Sequence, residues 1–62
     1  MLLSKVQDAA ERNERGMALM KQHKYRDAVE AFANAAKLDP SNALYPDNAG
    51  FANYKLRIRS RL

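Results

Sequence analysis

The stretch YRDAVEAFANAAKLDPSNA, residues 25–43, decides how this chain folds. Apolar and small side chains recur in it at steps of three and four residues, which places them on one face of an α-helix. These residues are Tyr25, Ala28, Val29, Phe32, Ala35 and Ala36. Asp39-Pro40 ends the pattern, because proline lacks a backbone N–H and disfavours helix at the residue before it. The sequence therefore predicts a helix from about residue 25 to residue 38.

The residues before this stretch predict a first helix. Ser4 followed by Gln7 has the spacing of a capping box, which places the helix start near Lys5. The segment HKY, residues 23–25, indicates a short break, although it contains no glycine. We therefore expect this helix from about residue 5 to residue 22.

A third helix is predicted towards the C-terminus. Ser41 or Asn42 is suited to cap it, and large apolar residues recur from Phe51 onwards at helical steps. The tail KLRIRSRL, residues 55–62, alternates basic and other residues, which is also the period of a strand. A lone strand would have no partner to pair with, so we expect helix from about residue 44 to residue 60.

Composition and charge narrow the function. The chain has no Cys and only one His, so disulfides, a thiol nucleophile and a His-ligated metal site within one chain are all excluded. His23 is also the only base available to a serine, so we expect no enzymatic activity and no cofactor. No apolar run approaches the roughly 20 residues of a membrane span. No secretory leader is recognisable, so a cytoplasmic location is expected.

The order and spacing of small, aromatic and proline residues resemble the tetratricopeptide repeat, a helix–turn–helix unit of about 34 residues. With Gly16 placed at the glycine of the repeat, residues 9–42 form one complete unit. The matching positions are Gly16, Leu19, Tyr25, Ala28, Phe32, Ala35 and Pro40. Gly50 follows Gly16 by one repeat length, so the third helix is similar to the first helix of a second unit.

The resemblance implies an all-α fold, in which residues 1–62 form one domain: an antiparallel helical hairpin with a third, capping helix. The chain departs from the family at Arg12 and Arg15, which stand where an aromatic residue and a leucine are usual. Pro46 and Asn53 replace large apolar residues in the second unit. A stable array usually needs about three units. We therefore expect either pairing with another copy, or an excised or engineered piece of a longer array that has no ligand.

The resemblance further implies a non-enzymatic adaptor or scaffold that binds a protein or peptide in a groove. By family position, the groove residues are Asn13, Met17, Met20, Lys21, Leu44, Asn48, Phe51, Tyr54 and Lys55. For Phe51 and Tyr54, packing against the second helix is the favoured alternative. Some family members clamp acidic chaperone tails, and Asn48 matches one asparagine of that clamp. Asn13 and Met17 do not match it, so chaperone-tail binding is disfavoured.

The third helix is the predicted surface for self-association. Phe51, Ile58 and Leu62 share one helical face that nothing in the chain covers, so a homodimer is expected. Residues 55–62 also hold four of the 11 Lys and Arg residues, which leaves seven against seven Asp and Glu residues elsewhere. These cations indicate a solvated helix end, a contact with an acidic partner, or binding to phosphate, either of nucleic acid by a small nucleic-acid-binding protein or of an anionic membrane. Nucleic acid is disfavoured, because Tyr54 is the only aromatic residue near the tail.

Overall fold

Three α-helices make up the fold: α1 (Leu2–Lys21), α2 (Tyr25–Leu38) and α3 (Leu44–Arg61). The computed structural model describes residues 2–61, with side chains from residue 4, and these residues contain no strand. α2 lies between α1 and α3 and packs against both. The predicted all-α class, a helical hairpin followed by a third helix, is confirmed.

The start of α1 differs from the prediction. The helix begins at Leu2, so Ser4 lies inside its first turn and does not cap it at Lys5. The predicted capping box is therefore wrong. A capping box forms only where the residues before it are not helical. Here Leu2 and Leu3 already belong to the helix, so Ser4 is not at a helix start.

The α1–α2 turn is a Schellman motif without glycine. The Lys24 N–H donates to the Leu19 carbonyl at 2.9 Å, and the His23 N–H donates to the Met20 carbonyl at 3.0 Å. His23 has a φ of 62°, the left-handed conformation that this motif requires and that glycine usually provides. The structure therefore has the break predicted at residues 23–25. It depends on a left-handed conformation of His23, which residues other than glycine disfavour.

The α2–α3 junction is capped by Asn42. Its Oδ1 accepts a hydrogen bond from the Leu44 N–H at 3.0 Å, at the start of α3. Ser41, the other predicted candidate, instead donates its hydroxyl to Asp39 Oδ1 at 2.7 Å. Pro46 lies in the first turn of α3, where its missing N–H costs little.

The core lies along one face of α2 and consists mainly of small residues. One cluster joins Ala9, Ala35 and Tyr45, and the other joins Ala28, Phe32 and Ala52. Phe32 is the largest fully buried side chain, at 1% exposure. Gly16 faces its ring so closely that an added Cβ would lie 2.5 Å from Phe32 Cε1. The predicted close approach of α1 and α2 at this glycine is therefore present.

α3 exposes most of its large apolar side chains and buries only one large ring. The residues that it buries are Tyr45 and Ala52, whereas Phe51 is 54% exposed and Tyr54 is 59% exposed. Packing of Phe51 and Tyr54 on the second helix, the favoured interpretation, is therefore wrong. The face of α3 that packs on α2 is the one with Tyr45 and Ala52, which contact Ala35, Ala28 and Phe32, so Phe51 and Tyr54 lie on other sides of the helix.

Candidate protein-interaction site

α1 and α3 meet across one side of α2 through a pair of amides. Asn48 Nδ2 on α3 donates to Asn13 Oδ1 on α1 at 2.9 Å, and both side chains are half-buried. Two residues predicted for the groove, 35 positions apart in the chain, are thus in direct contact. Asn48 is therefore not an ordinary exposed residue of a helical first turn. The hydrogen bond fixes the spacing of the two groove-lining helices.

Next to this amide pair lies an apolar cavity of about 200 Å³. It is lined by Met17, Met20, Lys21, Phe32, Asn48 and Phe51. All but Phe32 are among the predicted groove residues. Phe32 forms the deep wall of the cavity. The sequence predicts Phe32 only as a core residue, because the sequence pattern does not show that one edge of a buried ring lines a cavity. We name this cavity the anchor pocket.

Two lysines give the anchor pocket a positive surrounding. Lys21 lines the cavity directly. Lys55 is half-buried, and its Nζ lies 5.5 Å from the centroid of the Phe51 ring, within cation–π distance. The pocket therefore combines apolar walls, one amide and nearby ammonium groups, a set that suits an apolar side chain accompanied by a negative charge.

Leu44 and Tyr54 lie outside the anchor pocket, on the exposed face of α3. With Phe51 and Ile58 they form a row that we name the α3 stripe. These four side chains are between 41% and 59% exposed. Leu44, Phe51 and Ile58 follow each other at intervals of seven residues, which keeps them on one helical face. Leu62, also predicted for self-association, lies outside the described residues.

A different cleft opens between α1 and α2. Its lining includes Arg12, Arg15, Asp27 and Glu30, and its volume is about 240 Å³. The two arginines are the predicted departures from the repeat pattern, and they leave a polar, open cleft where large apolar residues would extend the core. Among the described residues, no group of three or more His, Asp or Glu side chains is arranged to hold a metal ion.

One end of the molecule collects most of its positive charge. There the end of α1, the start of α2 and the end of α3 meet, because the Arg59 guanidinium donates to the His23 carbonyl and lies 5.9 Å from the centroid of the Tyr25 ring. We name this region the basic end. Among the described residues, its cationic side chains are Lys21, Lys24, Arg26, Lys55, Arg57, Arg59 and Arg61, and its carboxylate side chain is Asp27.

The sequence indicated only the four cations of the tail. The other three come from the α1–α2 turn and its flanks, which are distant in the chain and are brought alongside α3 only by the antiparallel packing of the helices. None of the three described helices has the length and apolar character needed to cross a membrane.

Comparison with known proteins supports one assignment. The sequence model of the tetratricopeptide repeat matches residues 9–42, more than half of the chain and the same span that the spacing of Gly16 and Pro40 predicts. No curated protein and no solved structure matches the chain. The tetratricopeptide repeat is a non-catalytic unit that generally mediates protein–protein interaction. With the helical hairpin and the repeat match in agreement, this chain belongs to the tetratricopeptide repeat family.

Proposed function

We propose that this chain is a non-enzymatic protein-interaction module that forms a homodimer through the α3 stripe. The observation that carries the proposal is the exposure of four large apolar side chains along one helix. Full burial of one such side chain stabilises a protein by roughly 1.5–3 kcal/mol. A chain of 62 residues buries little apolar surface of its own. A second copy on this face would therefore add substantially to the total buried apolar area.

Sedimentation equilibrium over a range of protein concentrations tests the dimer. We expect the wild-type chain to dimerise and Ile58→Glu to be monomeric, because the dimer would bury a carboxylate without a partner. Ala18→Glu is the matched control: Ala18 is exposed on α1, about 140° around that helix from Asn13, which contacts α3, and its variant should still dimerise. A wild-type monomer, or an Ile58→Glu dimer of unchanged affinity, would refute self-association through α3.

The anchor pocket supports a second candidate function, the binding of a peptide through one apolar side chain. Met17 and Met20 are flexible side chains that adapt to ligands of different shape. Lys21 and Lys55 would attract a carboxylate beside the apolar residue. The convergence of five predicted groove residues on one cavity favours this candidate.

A random peptide library displayed on phage provides the test, because no ligand has to be assumed. Selection against the wild-type chain should enrich sequences with one large aliphatic residue next to acidic residues. Met17→Lys, which introduces a charge at the wall of the anchor pocket, serves for counter-selection and should lose these sequences. Equal enrichment on both proteins would show that the anchor pocket does not bind peptides.

The basic end gives less support to nucleic-acid binding. Single-stranded nucleic acid is usually held by bases stacked on exposed aromatic rings. The Tyr25 ring is half-buried, with the Arg59 guanidinium over it, so it is not free to stack on a base. We therefore favour a protein partner for this chain.

A further inference from the structure

We infer that the C-terminal half of α3 docks on the surface of an anionic lipid membrane. This inference goes beyond the proposed function and does not rest on it. The surface that carries it consists of two exposed apolar side chains, Tyr54 and Ile58, and of three cations beside them, Lys55, Arg57 and Arg61. We name these five residues the docking patch.

Cations border the apolar side chains of the docking patch on both sides. One depression of about 260 Å³ is lined by Tyr54, Arg57, Ile58 and Arg61. Both arginines therefore lie beside the apolar pair. Lys55 lies on the other side of it, because successive residues of a helix are rotated by about 100°. Lys55 is thus placed about 60° around α3 from Ile58 in one direction, and Arg61 about 60° in the other.

No acidic residue offsets these cations in this part of the sequence. Residues 48–62 contain four Lys and Arg residues and no Asp or Glu. Arg59, the fourth cation, turns towards the α1–α2 turn, where it donates to the His23 carbonyl. The other cations of the basic end adjoin this half of α3 and raise its positive potential. The docking patch is therefore complementary to a negatively charged surface that also accepts apolar side chains.

A lipid bilayer fits this arrangement better than a nucleic acid or an acidic peptide does. Tyr54 and Ile58 can enter the boundary between headgroups and acyl chains, while the long cationic side chains reach phosphates on either side of them. Tyrosine suits this boundary, because its ring is apolar and its hydroxyl is polar. A nucleic acid has phosphates but no apolar layer. An extended acidic peptide follows one flank of the apolar pair and leaves the cations of the other flank unpaired.

Ile58 belongs to both the docking patch and the α3 stripe. A chain that is bound to a membrane through Ile58 is therefore not paired with another copy through the same residue, and the two associations compete. The dimer is measured without lipid, so the failure of either proposal leaves the other standing.

Sedimentation with phosphatidylcholine vesicles, with and without phosphatidylserine, tests the role of charge. We expect binding only where phosphatidylserine is present, and weaker binding as the salt concentration rises. Arg57→Gln/Arg61→Gln removes two cations of the docking patch and should weaken binding about 25-fold, at roughly fivefold for each cation. Arg12→Gln/Arg15→Gln is the matched control of equal net charge. These two arginines line the cleft between α1 and α2, so this variant should bind nearly as tightly as the wild type.

A single tryptophan tests whether the apolar side chains enter the membrane, since the chain has no tryptophan of its own. In Tyr54→Trp, addition of phosphatidylserine vesicles should shift the fluorescence emission to shorter wavelength, because the indole ring leaves water. Val6→Trp is the control. Val6 is 46% exposed near the start of α1, whereas the basic end includes the end of that helix, so its emission should not shift.

The outcomes separate the membrane from other partners. Circular dichroism first establishes that all four variants are helical. No binding to phosphatidylserine vesicles, or equal losses in the two double variants, would overturn docking through this patch. Binding without an emission shift at residue 54 would show attraction by charge alone and overturn the entry of the apolar pair. Equally tight binding of an oligonucleotide or of polyglutamate would overturn the choice of a membrane and assign the cations to a nucleic acid or an acidic protein.

Discussion

Gly16 and Gly50 occupy the same repeat position but have different surroundings. At Gly16 an added Cβ would lie within 2.8 Å of three Phe32 ring atoms, whereas at Gly50 it would meet nothing within 4 Å. Gly16→Ala should therefore destabilise the fold by about 1–3 kcal/mol, because the buried Phe32 ring must shift. Gly50→Ala should stabilise it by about 0.5–1 kcal/mol, through the higher helix propensity of alanine. Urea unfolding of both variants measures the two effects.

The pair of variants is its own control, since the chemical change is the same at both positions. Opposite signs would confirm that the contact with Phe32, and not helix propensity, requires glycine at residue 16. If Gly16→Ala were as stable as Gly50→Ala, the close packing of α1 on α2 would be contradicted.

His23 holds a left-handed conformation that costs a non-glycine residue roughly 1 kcal/mol. His23→Gly should therefore stabilise the chain by about that amount. Its carbonyl, which accepts the hydrogen bond from Arg59, is retained in the variant. Thermal unfolding should show a rise in Tm of roughly 4–8 °C per kcal/mol. Gln22→Gly, at the preceding residue, should lower the Tm, and a rise in both variants would refute the explanation from His23.

At the scale of the helices, the sequence predicts the three elements but not the buried face of α3. α2 is unambiguous, because its small and aromatic residues lie on one side and Pro40 follows. α3 carries apolar residues on two sides: Tyr45 and Ala52 face α2, whereas Phe51 and Ile58 face outwards. The outward face carries more large apolar residues, so the sequence pattern favours burying it, and the contacts of Ala52 with Ala28 and Phe32 show that the other face is buried.

The C-terminal half of α3 contacts the start of α2 through Leu56, which lines a cleft with Tyr25, and through Arg59, which contacts the His23 carbonyl and the Tyr25 ring. Arg59→Ala should therefore loosen this half, at a cost of about 1 kcal/mol. Hydrogen exchange of the backbone amides near residue 56 should become faster, while exchange in α2 changes little.

Arg57→Ala is the matched control, because Arg57 lies roughly on the opposite side of α3. It removes the same type of side chain from the same helix without touching the α1–α2 turn. Equal acceleration of exchange in both variants would indicate that Arg59 does not anchor the helix.

For the whole molecule, the sequence predicts the residues of the groove better than their arrangement. Met17, Met20 and Lys21 come together with Asn48 and Phe51 because the repeat places equivalent helices side by side. The hydrogen bond between the two asparagines could not be predicted, since it depends on the distance between helices that are not neighbours in the chain. The same holds for the three cations that join the tail at the basic end.

The basic end also makes this short rod electrically polar. Seven cations and one carboxylate give it a formal side-chain charge of +6, so the rest of the chain, with a total of +4, carries −2. The remaining −2 is spread over the rest of the 44 Å length, so the positive charge is concentrated at one end. In the field of a negatively charged surface, the rod therefore experiences a torque that turns its positive pole forward, and it approaches the surface end-on.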